Sequence, residues 1–253
     1  MSKYNQSLIL VSLFLIPAIV TGQWLGAWAI LFVFLVVTGI GSASIRSNFF
    51  LHSINRADTR SKCLVLSFDD GPSPTVTPAV LDILKEFECR AVFFCIGRKI
   101  AGNEELVRRI VNEGHIVANH SFSHAPWFDL YSANRMLEEI QATNEEIRRV
   151  TGLRCKLFRP PYGVTNPMLT KAIDRSGLFS IGWSKRSLDT VIRDKRKVLA
   201  RISRNLQPGD IILLHDSVPG CPGVLKTFLE NLQQTEYTIE RLDRVIDIDC
   251  YEN

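Results

Sequence analysis

The first 45 residues contain almost no charge. Between Lys3 and Arg46 the chain has no Asp, Glu, Lys or Arg, and two mostly apolar runs are separated there only by Thr-Gly-Gln at 21–23. At about 1.5 Å per helical residue, this stretch can cross a hydrocarbon layer of roughly 30 Å twice. The sequence therefore predicts an N-terminal transmembrane helical hairpin, residues 1–45, that contacts the lipid bilayer through residues 7–40.

A second interpretation of this segment stays open. Lys3 and the apolar run after it resemble the basic and hydrophobic regions of a signal peptide that ends near residue 20. However, no small-x-small cleavage site follows Val20, and a second apolar run begins at Trp24. Two membrane passes therefore explain the segment better than a cleaved leader does.

Charge and cysteine content argue against two classes of function. The net charge is +4, and the densest basic cluster, Arg193 to Lys197, is interrupted by Asp194. This is typical of a solvated helix face, so we expect no nucleic-acid partner. The six cysteines show no CxxC spacing, so we expect neither a metal-thiolate centre nor a disulfide scaffold.

The pattern of the sequence changes near residue 60. We interpret residues 46–60 as a polar linker and residues 61–253 as one domain in which runs of β-forming residues alternate with helical patterns. Such alternation implies parallel strands joined by right-handed crossovers. Seven predicted strands favour an α/β fold, a distorted seven-stranded (β/α) barrel, over an open doubly wound sheet.

The predicted elements are as follows. The strands are Cys63–Phe68, Ala91–Ile96, His115–Ala118, Lys156–Phe158, Leu178–Trp183, Ile211–Leu214 and Tyr237–Ile239. The helices are Thr77–Phe87, Glu104–Asn112, Ala133–Val150, Pro167–Arg175, Lys195–Asn205 and Val224–Gln233.

Ionisable side chains follow five of the predicted strands. In α/β barrels the carboxyl ends of the strands converge on one cavity, where catalytic groups gather, so we expect these side chains to form one site. In chain order they are Asp69 and Asp70, His120 and His124, Arg159, Asp189, and His215.

Two of these groups have the composition of a metal site. Asp69 and Asp70 are adjacent, so their side chains diverge, and one carboxylate is free to bind a metal while the other accepts a proton. His120 and His124 are four residues apart and can face one ion. One carboxylate and two imidazoles make a three-ligand set for a divalent metal, and this set suits Zn, Co, Ni or Fe.

Two further groups, His215 and Arg159, have more than one interpretation. His215 ends an apolar strand, where an imidazole can act as a general acid near neutral pH or make a single structural hydrogen bond. Arg159 opens the run Arg-Pro-Pro-Tyr-Gly at 159–163. The prolines and glycine rigidify a loop and allow close backbone approach to a ligand, although a simple tight turn has the same composition.

Five ordered motifs resemble those of the polysaccharide deacetylases, the carbohydrate esterases with a NodB-homology domain. The resemblance covers roughly residues 60–245. It implies a distorted seven-stranded barrel and metal-dependent hydrolysis of N-acetyl groups on the amino sugars of a poly- or oligosaccharide, with release of acetate. The motifs are SFDDGP at 67–72, HSFSH at 120–124, RPPYG at 159–163, Leu188-Asp189, and LLHD at 213–216.

The resemblance also implies a role for each matching residue. Asp70, His120 and His124 match the metal ligands, with zinc as the expected ion. The other matches are Asp69 for the catalytic base, His215 for the general acid, Asp189 for its carboxylate partner, Arg159 for the residue that orients the base, Tyr162 for a backbone N–H donor to the oxyanion, and Leu213 for the acetyl pocket.

Two residues depart from the fourth motif of the family. Arg186 stands where the family has an acid, and Thr190 stands where it has an aromatic residue that helps to wall the acetyl pocket. We therefore expect a roomier or more polar acyl pocket than is usual in the family. A lipid-linked sugar or another small amide stays open as a substrate, and a catalytically silent glycan-binding module stays open as a function.

The expected location is a bacterial cell membrane. Both ends of a hairpin face one side, and the basic residues near it favour the cytoplasmic side. The resemblance favours cell-wall or exported glycans and hence the outer side, so the sequence leaves the side open, as it does the oligomeric state. The basic residues are Lys3, Arg46, Arg56, Arg60 and Lys62.

Overall fold

The N-terminal segment forms a helical hairpin in the computed structural model, which describes residues 2–252. Helix α1, Lys3–Val20, packs against helix α2, Trp24–Ser42, across a short turn. Gly22 in this turn has φ +70°, a conformation that glycine adopts without steric cost. The predicted helical hairpin is confirmed, and its placement in a membrane stays a prediction.

Most side chains of the hairpin are exposed although they are apolar. Among the residues of α1 and α2, only Ala18, Ala27 and Gly41 are buried. An apolar surface of this extent is unfavourable in water and typical of contact with a membrane or a partner. Both helices are long and apolar enough to cross a membrane, and a signal sequence near the N-terminus would share these properties.

The rest of the chain is a curled parallel sheet surrounded by helices. Across residues 2–252 the strands run in the order β1-β6-β5-β4-β3-β2-β8-β7, with β9 beside β2. The strands are β1 Ser53–Ile54, β2 Cys63–Gly71, β3 Ala91–Cys95, β4 Ile116–Asn119, β5 Leu157–Phe158, β6 Phe179–Ile181, β7 Lys185–Arg186, β8 Ile211–His215 and β9 Thr238–Ile239.

Helices follow most of these strands, as right-handed crossovers between parallel strands require. They are α3 Thr77–Glu86, α4 Gly97–Ile100, α5 Glu104–Asn112, α6 Ala133–Thr151, α7 Pro167–Ser176, α8 Lys195–Ser203, α9 Cys221–Leu232 and α10 Leu242–Ile246, and 3-10 turns lie at Ile45–Ser47, Phe128–Leu130 and Pro161–Gly163.

The predicted α/β barrel is confirmed, with differences in detail. All seven predicted strands are present. The sequence did not predict β1 and β7, because both lie in polar stretches without a run of β-forming residues. β2 includes Asp69 and Asp70, which we had placed after the strand. Asp189 follows β7 rather than the predicted fifth strand.

Residues 46–60, interpreted above as a polar linker, contact the domain closely. Ser53 and Ile54 pair with β6, and the Arg56 guanidinium lies 2.8 Å from the buried carboxylate of Asp210. Just before this segment, Ile45 is 2% exposed. The chain is therefore packed against the barrel from the end of α2 onward, and the domain boundary at residue 61 stays a prediction.

The central strand β2 sets the position of the edge of the sheet at which the predicted site residues lie. Its neighbours are β3 and β8, and Leu64, Leu66 and Phe68 are fully buried, as is usual for parallel strands covered on both faces. In this register Asp69 lies directly beside His215 of β8. The carboxyl ends of the strands therefore bring residues distant in sequence to one edge.

His115 is a buried histidine that directly precedes β4. It therefore lies at the amino-terminal end of this strand, opposite to the edge that carries the predicted site residues. Its Nδ1 accepts a hydrogen bond from the Ala91 N–H at 3.2 Å, and its Nε2 has no partner among the described residues. Burial, with the nearby charge of Arg90, lowers the pKa of His115 to about 4. The side chain is therefore neutral in the folded protein at physiological pH.

We expect His115 to make stability depend on pH. Because its ordinary pKa is 6.5, the unfolded state binds a proton between pH 6.5 and about 4 that the folded state does not. The stabilisation is complete above pH 6.5 and falls through this window by roughly 3 kcal/mol. Thermal unfolding in detergent at pH 7 and pH 4.5 should show a larger loss for wild type than for His115→Gln. Equal losses in both proteins would contradict this.

Candidate active site

Two adjacent carboxylates at the end of β2 point to different partners. Asp70 has φ +70°, and the pairing of β2 with β3 shifts register between Asp69 and Gly71. With this irregularity the two carboxylates have different nearest contacts, although Oδ2 of Asp69 also lies 3.8 Å from Nε2 of His120. Asp69 accepts a hydrogen bond from Arg159 at 2.7 Å, whereas Oδ1 of Asp70 faces two imidazoles.

The loop after β4 positions the two histidines. Nδ1 of His120 lies 2.8 Å from the Arg159 carbonyl oxygen. A carbonyl can only accept, so Nδ1 carries the hydrogen and the Nε2 lone pair is free for a ligand. The Oγ of Ser121 accepts from the His124 N–H at 3.1 Å. Both Ser121 and His124 have left-handed backbone conformations, which the loop needs to bring the two rings to a centroid separation of 4.9 Å.

Asp70, His120 and His124 fit a divalent metal ion. One ligand atom from each lies within 4.8 Å of the others. Nε2 of His124 is 3.3 Å, and Nε2 of His120 is 3.6 Å, from Oδ1 of Asp70. With metal bonds of roughly 2.0–2.1 Å, two ligands of tetrahedral zinc lie roughly 3.3–3.5 Å apart. Three protein ligands also leave a position open, as in catalytic zinc sites.

The protonation state of His124 suits this role. Burial lowers the pKa of His124 to about 4, and the neighbouring His120 acts in the same direction. A metal ligand must offer a lone pair, so an imidazole that is neutral at physiological pH is ready to bind.

Arg159 is a fully buried guanidinium, and each of its three nitrogens donates at least one hydrogen bond. Its Nη1 donates to Asp69 at 2.7 Å and to the Ser67 hydroxyl at 2.9 Å. Its Nε and Nη2 donate to the carbonyls of Ile181 and Gly182 at 3.1 and 2.7 Å. Strands β2, β5 and β6 therefore meet at one charge, which fixes the Asp69 carboxylate in one orientation.

His215 is paired with Asp189 across the rim. Its Nδ1 lies 2.6 Å from Oδ1 of Asp189, and its backbone N–H donates to Oδ2 at 2.9 Å. The Ser187 hydroxyl also donates to this carboxylate, at 2.7 Å. Burial alone would lower the pKa of His215, but the hydrogen bond and charge of Asp189 outweigh it and the pKa is raised. The remaining nitrogen, Nε2, is free to transfer a proton.

Tyr162 and Leu213 also lie near this cluster. Tyr162 is half exposed with φ 60°, and its ring meets the His124 ring edge-on at 4.7 Å. Leu213 is buried in a small apolar cluster with Ile45 and Trp183. The structure thus gathers the charged residues and Tyr162 at one rim, with Leu213 beneath it.

Comparison with known proteins identifies the family. The family model for polysaccharide deacetylases matches residues 56–180. The peptidoglycan-N-acetylmuramic acid deacetylase of Bacillus subtilis is 32% identical over 190 residues, which cover 74% of this chain and 72% of the relative. The chain belongs to the polysaccharide deacetylase family.

Other members of the family differ in substrate and in activity. A chitooligosaccharide deacetylase of Sinorhizobium fredii is 34% identical over 178 residues, which cover 68% of this chain and 79% of the relative. A solved pseudoenzyme of the CE4 family from Bacillus anthracis has a TM-score of 0.72 and 26% identity, and it covers 78% of this chain and 69% of its own. Because the same fold occurs in a pseudoenzyme, function has to be argued from the side chains of the site.

Strained backbone is concentrated in the family motifs of this chain. Nine non-glycine residues between 2 and 252 have positive φ, and five of them lie in or beside the site. Such conformations cost of order 1–3 kcal/mol each and persist where the surroundings impose them. The five are Asp70, Ser121, His124, Tyr162 and Leu188.

Sequence reasoning missed the residues that hold the histidine loop and the Asp70 backbone. Glu139 of α6 accepts from the N–H groups of Phe122 and Ser123 at 3.1 and 2.7 Å. Lys99 donates to the Asp70 carbonyl at 2.7 Å. Neither residue lies in a motif, and a charged residue on a helix gives no signal of such a contact.

We expect the two neighbouring aspartates to differ in metal binding. Isothermal titration with Zn²⁺ should give one site per chain, and Asp70→Asn should weaken it at least roughly 100-fold, since even supporting partners of ligands are worth 10–100-fold. The matched variant Asp69→Asn should bind within about tenfold of wild type, because Arg159 engages that carboxylate. An equal loss in both variants would contradict the assignment.

Proposed function

We propose that this enzyme removes N-acetyl groups from the amino sugars of a glycan and releases acetate. The observation that carries the proposal is the convergence, at one rim, of a metal-binding triad, a separate carboxylate and a carboxylate-paired imidazole. Hydrolysis of an amide needs an activated water and an acid for the leaving nitrogen. The relatives named above act on peptidoglycan and chitooligosaccharides by their names, which supports a glycan substrate.

Asp70, His120 and His124 would hold the metal, with zinc as our choice and Co, Ni or Fe as alternatives. When bound, a divalent ion polarises the substrate carbonyl and makes a water molecule acidic enough to attack at neutral pH. The free Nε2 of His120 and the separation of the ligand atoms support this assignment.

The remaining residues would move protons and stabilise charge. Asp69, oriented by Arg159, accepts the proton of the attacking water. A fixed donor such as the Tyr162 backbone N–H stabilises the negative charge that develops on the carbonyl oxygen, and one such donor is typically worth about 3–4 kcal/mol. His215, charged beside Asp189, donates a proton to the nitrogen so that a neutral amine departs.

We further propose that Leu213, Ile45 and Trp183 wall the acyl pocket. Thr190 stands where the family has an aromatic residue. In this chain Trp183 is buried against Leu213 and Ile45. Trp183 also packs directly on the loop that carries Tyr162, because a Cβ at Gly163 would lie 2.3 Å from the indole. An aromatic residue thus reaches the pocket region from the loop that follows β6.

We also propose that α1 and α2 anchor the enzyme in a bacterial cell membrane. Their length, apolar composition and exposure support two passes. The charged domain then stands at the surface of the bilayer, where a glycan can reach it.

The direct test is acetate release by the full chain after metal reconstitution. Substrates should include chitooligosaccharides and peptidoglycan fragments, with acetylated xylan as an ester-linked comparison. We expect release from the N-acetylated glycans and a loss of at least roughly 100-fold in Asp69→Asn, in line with the contribution of general base catalysis. Activity unaffected by Asp69→Asn would overturn the mechanism.

Asp189 should determine how activity falls at high pH. His215 must be protonated to act, and Asp189 raises its pKa, so kcat/KM should decline as the pH rises through that pKa. In Asp189→Asn the charge is lost, and this alkaline decline should move to lower pH. Ser187→Ala, which keeps the carboxylate, should move it little. An alkaline decline at the same pH in Asp189→Asn would count against His215 as the acid.

The preference of the enzyme for one acyl group over another should depend on Ile45. Removing side-chain volume in Ile45→Ala should raise kcat/KM for N-propionyl relative to N-acetyl substrate by about tenfold, the usual value of one methylene in a pocket. Thr190→Trp should shift the same ratio toward acetyl. If Ile45→Ala leaves this ratio unchanged, Ile45 does not wall the acyl pocket. If the wild-type enzyme hydrolyses no amide larger than acetyl, the pocket is not roomier than is usual in the family.

A further inference from the structure

The apolar hairpin is attached to the edge of the barrel that carries the proposed active site. We call this edge, formed by the carboxyl ends of the strands, the catalytic rim. Ser42, the last residue of α2, accepts a hydrogen bond through its carbonyl from the Thr165 N–H at 3.0 Å, and its hydroxyl donates to the Thr165 carbonyl at 2.8 Å. Thr165 comes two residues after the loop 159–163, whose first residue holds His120 through its carbonyl. The helices therefore leave the domain from the side on which the active site opens.

The attachment is rigid, because the start of α1 contacts the same packed segment, residues 47–50, into which the end of α2 leads. At the start of α1, the Lys3 ammonium donates to the Ser47 carbonyl at 2.6 Å, and the Tyr4 N–H donates to the Phe49 carbonyl at 3.0 Å. The Tyr4 ring also lies 4.7 Å from the Phe50 ring. A segment held by this many contacts does not act as a flexible tether, so the orientation of the barrel relative to the helices is fixed.

Two large apolar side chains are exposed on this same side. Trp127 and Leu130 are 68% and 73% exposed, in the loop that directly follows His124. The side chain of Asn166, next to Thr165, donates to the Asp129 carbonyl at 2.6 Å. The loop is thus connected to the end of α2 through one short network.

The loop that carries Trp127 and Leu130 is also packed against the segment that follows α2. Phe128, between the two exposed residues, shares an apolar cluster with Leu51. The turn that exposes Trp127 and Leu130 therefore packs against the segment that joins the hairpin to the barrel. Tryptophan is favoured at membrane interfaces, and exposed apolar side chains beside a membrane helix are typical of contact with lipid.

We propose that the catalytic rim faces the bilayer, with Trp127 and Leu130 in contact with lipid, and that the substrate is an N-acylated amino sugar carried on a membrane lipid. This inference rests on the proposed function. A lipid-linked sugar diffuses in the plane of the bilayer and presents its headgroup at the height of the rim. A polymer in solution has to enter between the rim and the membrane.

The test compares two substrates of one enzyme. The full chain is placed in vesicles of phosphatidylethanolamine and phosphatidylglycerol, and acetate release is measured from N-acetylglucosamine joined to a dialkylglycerol in the same bilayer and from soluble chitotetraose. We expect kcat/KM for the lipid-linked sugar to be at least roughly tenfold higher. Trp127→Ser with Leu130→Ser should reduce that rate at least roughly fivefold and leave the chitotetraose rate within about twofold.

Phe179→Ser is the matched control, since Phe179 is an exposed aromatic residue at the opposite, amino-terminal end of β6. It should change neither rate. The inference is overturned if wild type hydrolyses chitotetraose without preferring the lipid-linked sugar. It is also overturned if the double variant loses activity equally on both substrates. Either result leaves the proposed function intact. If wild type releases acetate from neither substrate, the proposed function and the inference both fail.

Discussion

The buried Arg159 guanidinium is the interaction on which the site depends. A charge removed from water costs several kcal/mol unless it is paired and fully hydrogen-bonded. Arg159 approaches this condition only if Asp69, Ser67 and the carbonyls of Ile181 and Gly182, at the carboxyl end of β6, converge on it. Three strands must therefore be in register before the charge is tolerated, and the same register gives the Asp69 carboxylate its orientation.

From this point the site extends in two directions along the rim. The Arg159 carbonyl selects the tautomer of His120 and so directs its free nitrogen toward Asp70. On the other side, the register of β2 with β8 places His215 beside Asp69, where Asp189 raises its pKa. Parallel pairing thus places the group that we assign as base and the group that we assign as acid at the same edge of the sheet.

The sequence was sufficient to predict the barrel and the charged residues of the candidate site. Strand patterns are local, and polar residues at their carboxyl ends, such as Asp69 and His215, stand out against an apolar run. The contacts of Glu139 with the histidine loop and of Ser42 with Thr165 could not be predicted, because they join distant segments without a local pattern. For the same reason the packing of residues 46–60 on the barrel was missed.

The most direct test of this account is a double-mutant cycle on kcat/KM for an N-acetylated oligosaccharide, with Arg159→Lys and Asp69→Asn, in metal-loaded protein whose thermal unfolding has been checked. If Arg159 acts by orienting Asp69, the double variant should be no worse than Asp69→Asn alone, since residues that act as a unit are not additive. Losses that multiply fully would show that the two residues act independently and would contradict the account.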